Sequence, residues 1–133
     1  MSRIVATPPA TPACSGVCTW TLKNGVWTIT ACSCSTGCAC VQMTSGTVTA
    51  SDGTTVTIDG KGTFSPSNYG VKVADFKALL SARITRFTSD PTLKAAHTNA
   101  LATVNSGATS VSIPCVPAGT LSPQPIITLE KQP

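Results

Sequence analysis

Six of the seven cysteines fall within residues 14 to 40, where they bracket the segment CTWTLKNGVWTITAC. Asn24-Gly25 at its centre is the preferred pair for a two-residue hairpin turn, because both turn positions need positive φ. A turn placed there pairs Lys23 with Val26, Leu22 with Trp27, Thr21 with Thr28 and Trp20 with Ile29. Strand alternation then gathers Trp20, Leu22, Trp27 and Ile29 on one face and Thr19, Thr21, Thr28 and Thr30 on the other. The spacing predicts a β-hairpin with cysteines at its open end, where residues 17 and 32 come opposite each other.

The rest of the composition explains why such a chain needs covalent help. Its 133 residues make one domain, but only 11% are charged and the balance is Thr, Ser, Ala and Gly, with ten prolines and ten glycines. Few large apolar side chains bury too little surface to offset chain entropy, and small domains of this kind use disulfides or metals instead. Two readings of the cysteines follow. In one, Cys14 and Cys18 pair with members of the later cluster Cys32, Cys34, Cys38 and Cys40. In the other, the two Cys-x-Cys pairs Cys32/Cys34 and Cys38/Cys40 hold Zn²⁺ as four thiolates. Zinc sites favour two to four residues between paired cysteines, so disulfides are the preferred reading and no cofactor is expected. A bridge closing a loop of ~15 residues contributes about 3 kcal/mol, a large part of the ~5–15 kcal/mol that holds a domain together. The odd count leaves Cys115 either tying a C-terminal strand to the hairpin or standing as a free or intermolecular thiol.

Four further zones complete the chain. Residues 1–13 are proline-rich and predict an extended arm. Residues 41–64 contain GTVTASDGTTVTIDG, where a three-residue loop Ser51-Asp52-Gly53 gathers Val48, Ala50, Val56 and Ile58 on one face of a second hairpin. Residues 72–106 change to helical periodicity, with Phe76, Leu79, Leu80, Ile84 and Phe87 on one helix and Leu93, Ala96, Ala100, Leu101 and Val104 on the next. Asp90-Pro91 reads as the start of the second helix and Gly107 as its stop. After the alternating segment TSVSIPCV, residues 116–133 carry four prolines and predict an extended tail. The expected fold class is α+β, mostly β. It comprises one small domain over 14–115, built of the cysteine-rich hairpin (14–40), the second hairpin (41–64) and a helical hairpin (72–106), between two arms.

Catalytic chemistry finds little to work with, and the expectation is a protein that is not an enzyme. His97 is the sole histidine, on a helix among small residues, and is expected to be partly exposed or hydrogen-bonded rather than a base. Asp52 and Asp59 sit beside turn glycines and Asp90 caps a helix, which leaves no carboxylate pair to assemble. Trp20 and Trp27 read as core rather than as a stacking platform. The nine basic residues are dispersed, so nucleic acid is not an expected partner. Lys72, Lys77, Arg83 and Arg86 read as a solvated helix face. No apolar run reaches the ~18 residues of a membrane span. Residues 1–13 lack the apolar stretch of a signal peptide, so oxidising surroundings would be reached without a classical leader.

Cys14-x₃-Cys18, the Trp20 and Trp27 strands and the closing Gly37-Cys38-x-Cys40 together resemble short cysteine-rich hairpins of large bacterial surface proteins and of some phage structural proteins. The resemblance covers residues 14–40 and implies an extracellular, structural setting. The expected role is therefore a structural or accessory subunit of a multi-protein assembly, first a virion decoration or minor capsid protein. A subunit of an extracellular filament or surface layer comes next, then a small zinc-thiolate module. Both arms are expected to contact other subunits of a lattice, through Ile4, Val5, Leu121, Ile126, Ile127 and Leu129.

Overall fold

The computed structural model describes residues 14–39, 46–58, 64–65, 68–117 and 127–132. Asn24 (φ 52°) and Gly25 (φ 79°) adopt the left-handed backbone that the tight turn requires. Strands β1 (Val17–Lys23) and β2 (Val26–Cys32) consequently pair in the expected register, Trp20 opposite Ile29 and Leu22 opposite Trp27. Beyond Trp20 the pairing shifts: Thr19 faces Ala31, so Thr30 is an extra residue on β2. This β-bulge corrects the expected opposition of residues 17 and 32, since two residues on one strand against one on the other advance the register by one. Cys18 now lies directly opposite Cys32.

The hairpin is the centre of a five-stranded antiparallel sheet. β7 (Tyr69–Lys72) pairs with β2, and β8 (Ser110–Pro114) pairs with β1, while β10 (Leu129–Lys131) adds to the outer side of β7. A second sheet holds β4 (Gly46–Thr49), β5 (Thr55–Ile58) and β6 (Phe64–Ser65). Its β4–β5 turn is the expected three-residue loop: Ala50 N–H donates to Thr54 O at 2.8 Å, and Gly53 has φ 86°. Val56 and Ile58 are buried on the expected face with Ala50, and Val48 packs beside them. A short two-stranded ladder joins β3 (Cys38–Ala39) to β9 (Val116–Pro117).

Helices α1 (Val73–Arg86) and α2 (Pro91–Asn105) form the expected helical hairpin, with α1 following β7 directly and α2 packing on β8. Asp90 caps α2 by accepting the Leu93 N–H at 3.1 Å, with Pro91 at the first helical position. The core lies where the helical hairpin meets the Trp-bearing face of the main sheet. Phe76 stands between the two tryptophans, its ring centroid 4.9 Å from Trp20 and 5.1 Å from Trp27, and Phe64 meets Trp20 edge-on at 6.1 Å. Both tryptophans are fully buried, as core residues should be. One member of the expected solvated face is not solvated: Arg83 is buried with Phe76, Leu79 and Leu80, because it follows them at helical spacing onto the packed side of α1.

The C-terminal residues also depart from expectation. Residues 116–117 and 129–131 are strands, and Leu129 is 1% exposed opposite the fully buried Val71. Leu129 O accepts the Ser51 N–H at 3.0 Å, and Gln132 N–H reaches Asn68 O at 2.6 Å. Glu130 joins Ser51 (2.7 Å) and Lys72 (3.1 Å). Three prolines of the tail precede this stretch and Pro133 follows it, so Leu129 to Lys131 keep their amides for the ladder with β7.

Candidate functional site

The chemically distinctive region is the open end of the hairpin, where six cysteines converge. Gly16 lets the chain come close: its φ is 98°, and a Cβ there would run into the Ser33 carbonyl group, whose carbon would lie 2.7 Å away. Around it the backbone is tied across segments. Ser33 N–H donates to Val17 O at 3.1 Å, Ser35 N–H to Ser15 O at 3.2 Å, and Cys115 N–H to Gly16 O at 3.1 Å.

These ties align three disulfides. Cys14–Cys38 spans Cα atoms 5.8 Å apart, Cys34–Cys115 spans 5.5 Å, and Cys18–Cys32 joins the opposed pair of β1 and β2 at 4.1 Å. Cys14 and Cys18 thus pair into the later cluster as expected. Cys115 takes the first of its two open roles and ties the C-terminal strands to the hairpin across 81 residues. A loop of that length makes this bridge worth about 4 to 5 kcal/mol in the chain-entropy account.

The sulfurs of Cys18, Cys32, Cys34 and Cys115 all lie within 4.8 Å of one another, three of the residues buried and Cys32 half-buried. Cys34 Sγ is 3.5 Å from Cys18 Sγ and 3.4 Å from Cys32 Sγ. This is not the zinc set read from the Cys-x-Cys pairs. Of Cys32, Cys34, Cys38 and Cys40, Cys38 is bonded to Cys14 and Cys40 lies outside the described residues. Spacing along the chain missed Cys18 and Cys115 because strand pairing, not local sequence, delivers them.

The titratable side chains are spent on structure. Asp52 accepts from Thr54 N–H at 2.9 Å and from the Tyr69 hydroxyl at 2.8 Å, and these hydrogen bonds hold its carboxyl below the usual pKa. Glu130 is lowered in the same way by Ser51 and Lys72. Asp75 accepts the Thr128 N–H at 3.2 Å and Asp90 caps α2, while Asp59 falls outside the described residues.

Of its two expected forms His97 takes the hydrogen-bonded one, and it is completely buried, its ring 5.0 Å from Phe87. Its Nδ1–H donates to Leu93 O at 2.8 Å, which leaves Nε2 unprotonated and without a partner among the described residues. Burial first, and then the Arg83 charge, push its pKa down against the opposing hydrogen bond to Leu93.

The expected assembly contacts divide in two. Ile4, Val5, Leu121 and Ile126 lie outside the described residues. Leu129 is buried in its own domain's core, which leaves it no surface for a neighbour, and Ile127 packs against that core while remaining partly exposed. No helix among the described residues is long and apolar enough to cross a membrane. Three disulfides belong to oxidising surroundings. Comparison with protein-family models, with curated proteins and with solved structures finds no match for this chain.

Proposed function

We propose that the chain is a non-catalytic structural or accessory subunit of a multi-protein assembly, of the decoration or minor-capsid type in a phage virion. The observation that carries this reading is how its reactive groups are employed. Asp52, Asp75, Asp90 and Glu130 each hold a turn, strand or helix in place, His97 is enclosed between helices, and six cysteines are committed to cross-links. Such a chain is built to persist outside the cell rather than to turn over a substrate. The resemblance of residues 14–40 to cysteine-rich hairpins of bacterial surface and phage structural proteins supports the same setting.

Among the described residues Val17 is the only large apolar side chain exposed, so they present no apolar patch for docking. The proposed contacts therefore fall to residues 1–13, with Ile4 and Val5, and to the tail around Leu121 and Ile126. Sedimentation of the full chain against a chain lacking residues 1–13 tests this. The full chain is expected to form higher-order species. The shortened chain is expected to stay folded, with unchanged tryptophan fluorescence, and to sediment as a monomer. Identical sedimentation of the two would remove the N-terminal arm from the assembly reading.

A further inference from the structure

We propose that in the reduced chain Cys18, Cys32, Cys34 and Cys115 form a tetrahedral thiolate site for one Zn²⁺ ion, at the same place where the oxidised chain carries two disulfides. Zinc bonded to sulfur at ~2.3 Å in a tetrahedron needs its ligands about 3.8 Å from one another. The four sulfurs already lie within 4.8 Å, and Cys34 Sγ is 3.4–3.5 Å from two of them. Once reduced, the two bonded pairs separate to reach the ~3.8 Å of the tetrahedron, and the other sulfur separations already lie near that distance.

The backbone that supplies the ligands is held by hydrogen bonds between its segments as well as by the bridges. Cys18 and Cys32 are opposed on paired strands, Ser33 N–H is bonded to Val17 O, and Cys115 N–H is bonded to Gly16 O. The objection to Cys-x-Cys spacing bears on one pair here instead of two, and at that pair the sulfurs of Cys32 and Cys34 are 3.4 Å apart, while β1 and the β8–β9 junction provide the other two ligands. An all-sulfur donor set selects Zn²⁺ over hard cations such as Mg²⁺ or Ca²⁺. Burial of Cys18, Cys34 and Cys115 shields the site from water. The site does not depend on the assembly reading. It supplies a cross-link at the hairpin's open end in any compartment where disulfides do not persist.

The chemistry balances as follows. A phosphine reduces each bridge, taking oxygen from one water to become the phosphine oxide while two thiols form. Zn²⁺ then binds four thiolates and releases four protons. The test uses the full-length chain, reduced with a phosphine without oxygen and titrated with Co²⁺ as the spectroscopic probe. Expected are thiolate-to-cobalt charge-transfer bands and the intense visible bands of tetrahedral Co²⁺, saturating at one equivalent and abolished by Zn²⁺. Alkylation of the reduced wild-type chain with Zn²⁺ present should spare Cys18, Cys32, Cys34 and Cys115 and modify Cys14, Cys38 and Cys40. Cys115→Ser should weaken Zn²⁺ binding at least tenfold, whereas Cys38→Ser should leave it unchanged. The proposal is overturned by a cobalt spectrum without charge transfer, by alkylation of all seven cysteines at equal rates, or by protection of Cys32, Cys34, Cys38 and Cys40 instead. The alkylation pattern decides the matter without mutants, should Cys115→Ser fail to fold.

Discussion

Leu129→Ala asks whether the C-terminal strand belongs to the fold. Leu129 is 1% exposed, faces Val71 across the β7–β10 ladder and belongs to the main buried cluster. The substitution removes three carbons, about 2.4 kcal/mol of transfer free energy at ~0.8 kcal/mol each. A residual cavity adds to this, although an edge strand collapses more readily than a central one, so the expected loss is about 2.5 to 3.5 kcal/mol within the ~2–5 range of buried Leu→Ala changes. Urea denaturation followed by the fluorescence of Trp20 and Trp27 measures it, and with a slope of ~1–3 kcal/mol/M the midpoint should fall by about 1 to 3 M. Glu130→Gln on the same strand, a solvent-screened contact to Ser51 and Lys72, should leave the urea midpoint nearly unchanged. A Leu129→Ala loss below ~1 kcal/mol would refute the reasoning. Leu129 would then not be a core residue, and its role as an arm anchor would be open again.

Two other outcomes follow from the core. Phe76→Ala should cost about 3 to 5 kcal/mol and change the tryptophan emission, since the ring lies between Trp20 and Trp27; a loss near 1 kcal/mol in thermal or urea unfolding would contradict that packing. His97, with its folded-state pKa depressed, contributes full stability above the ordinary imidazole pKa. That contribution is lost as pH falls below about 6.5, by up to ~1.4 kcal/mol per pH unit, until the folded pKa is reached. Unfolding measured from pH 7.5 down to pH 5 should show this slope in the wild-type chain and not in His97→Gln; equal slopes in both would place the titration elsewhere.

Much of the fold was legible wherever a local rule acts alone. The Asn24-Gly25 turn specifies its register because only positive-φ positions fit it, and the three-residue loop before Thr54 follows from the faces of Val48 and Val56. The Asp90-Pro91 start of α2 is equally local. What sequence patterns did not disclose depends on contacts between distant segments. The bulge at Thr30 moves Cys18, not residue 17, opposite Cys32. Cys34 finds Cys115 only because β8 pairs with β1, and Leu129 reads as tail until β7 is present to receive it. Arg83 and His97 are polar types buried by their position on the helices, which composition does not reveal. Gly16, midway between Cys14 and Cys18, was the available signal that the chain passes close to itself there.

The cross-linked hairpin, whose open end also holds the C-terminal strands, is tested most directly by disulfide mapping of the unreduced protein. The chain should be alkylated without reduction, digested, and its linked peptides sequenced by mass spectrometry. The expected pairs are Cys14–Cys38, Cys18–Cys32 and Cys34–Cys115, with two hydrogens lost per bridge and, by count, Cys40 carrying the single alkyl group. Seven alkylated cysteines, or a chain in which Cys115 is alkylated while the bridges close among Cys32, Cys34, Cys38 and Cys40, would contradict it.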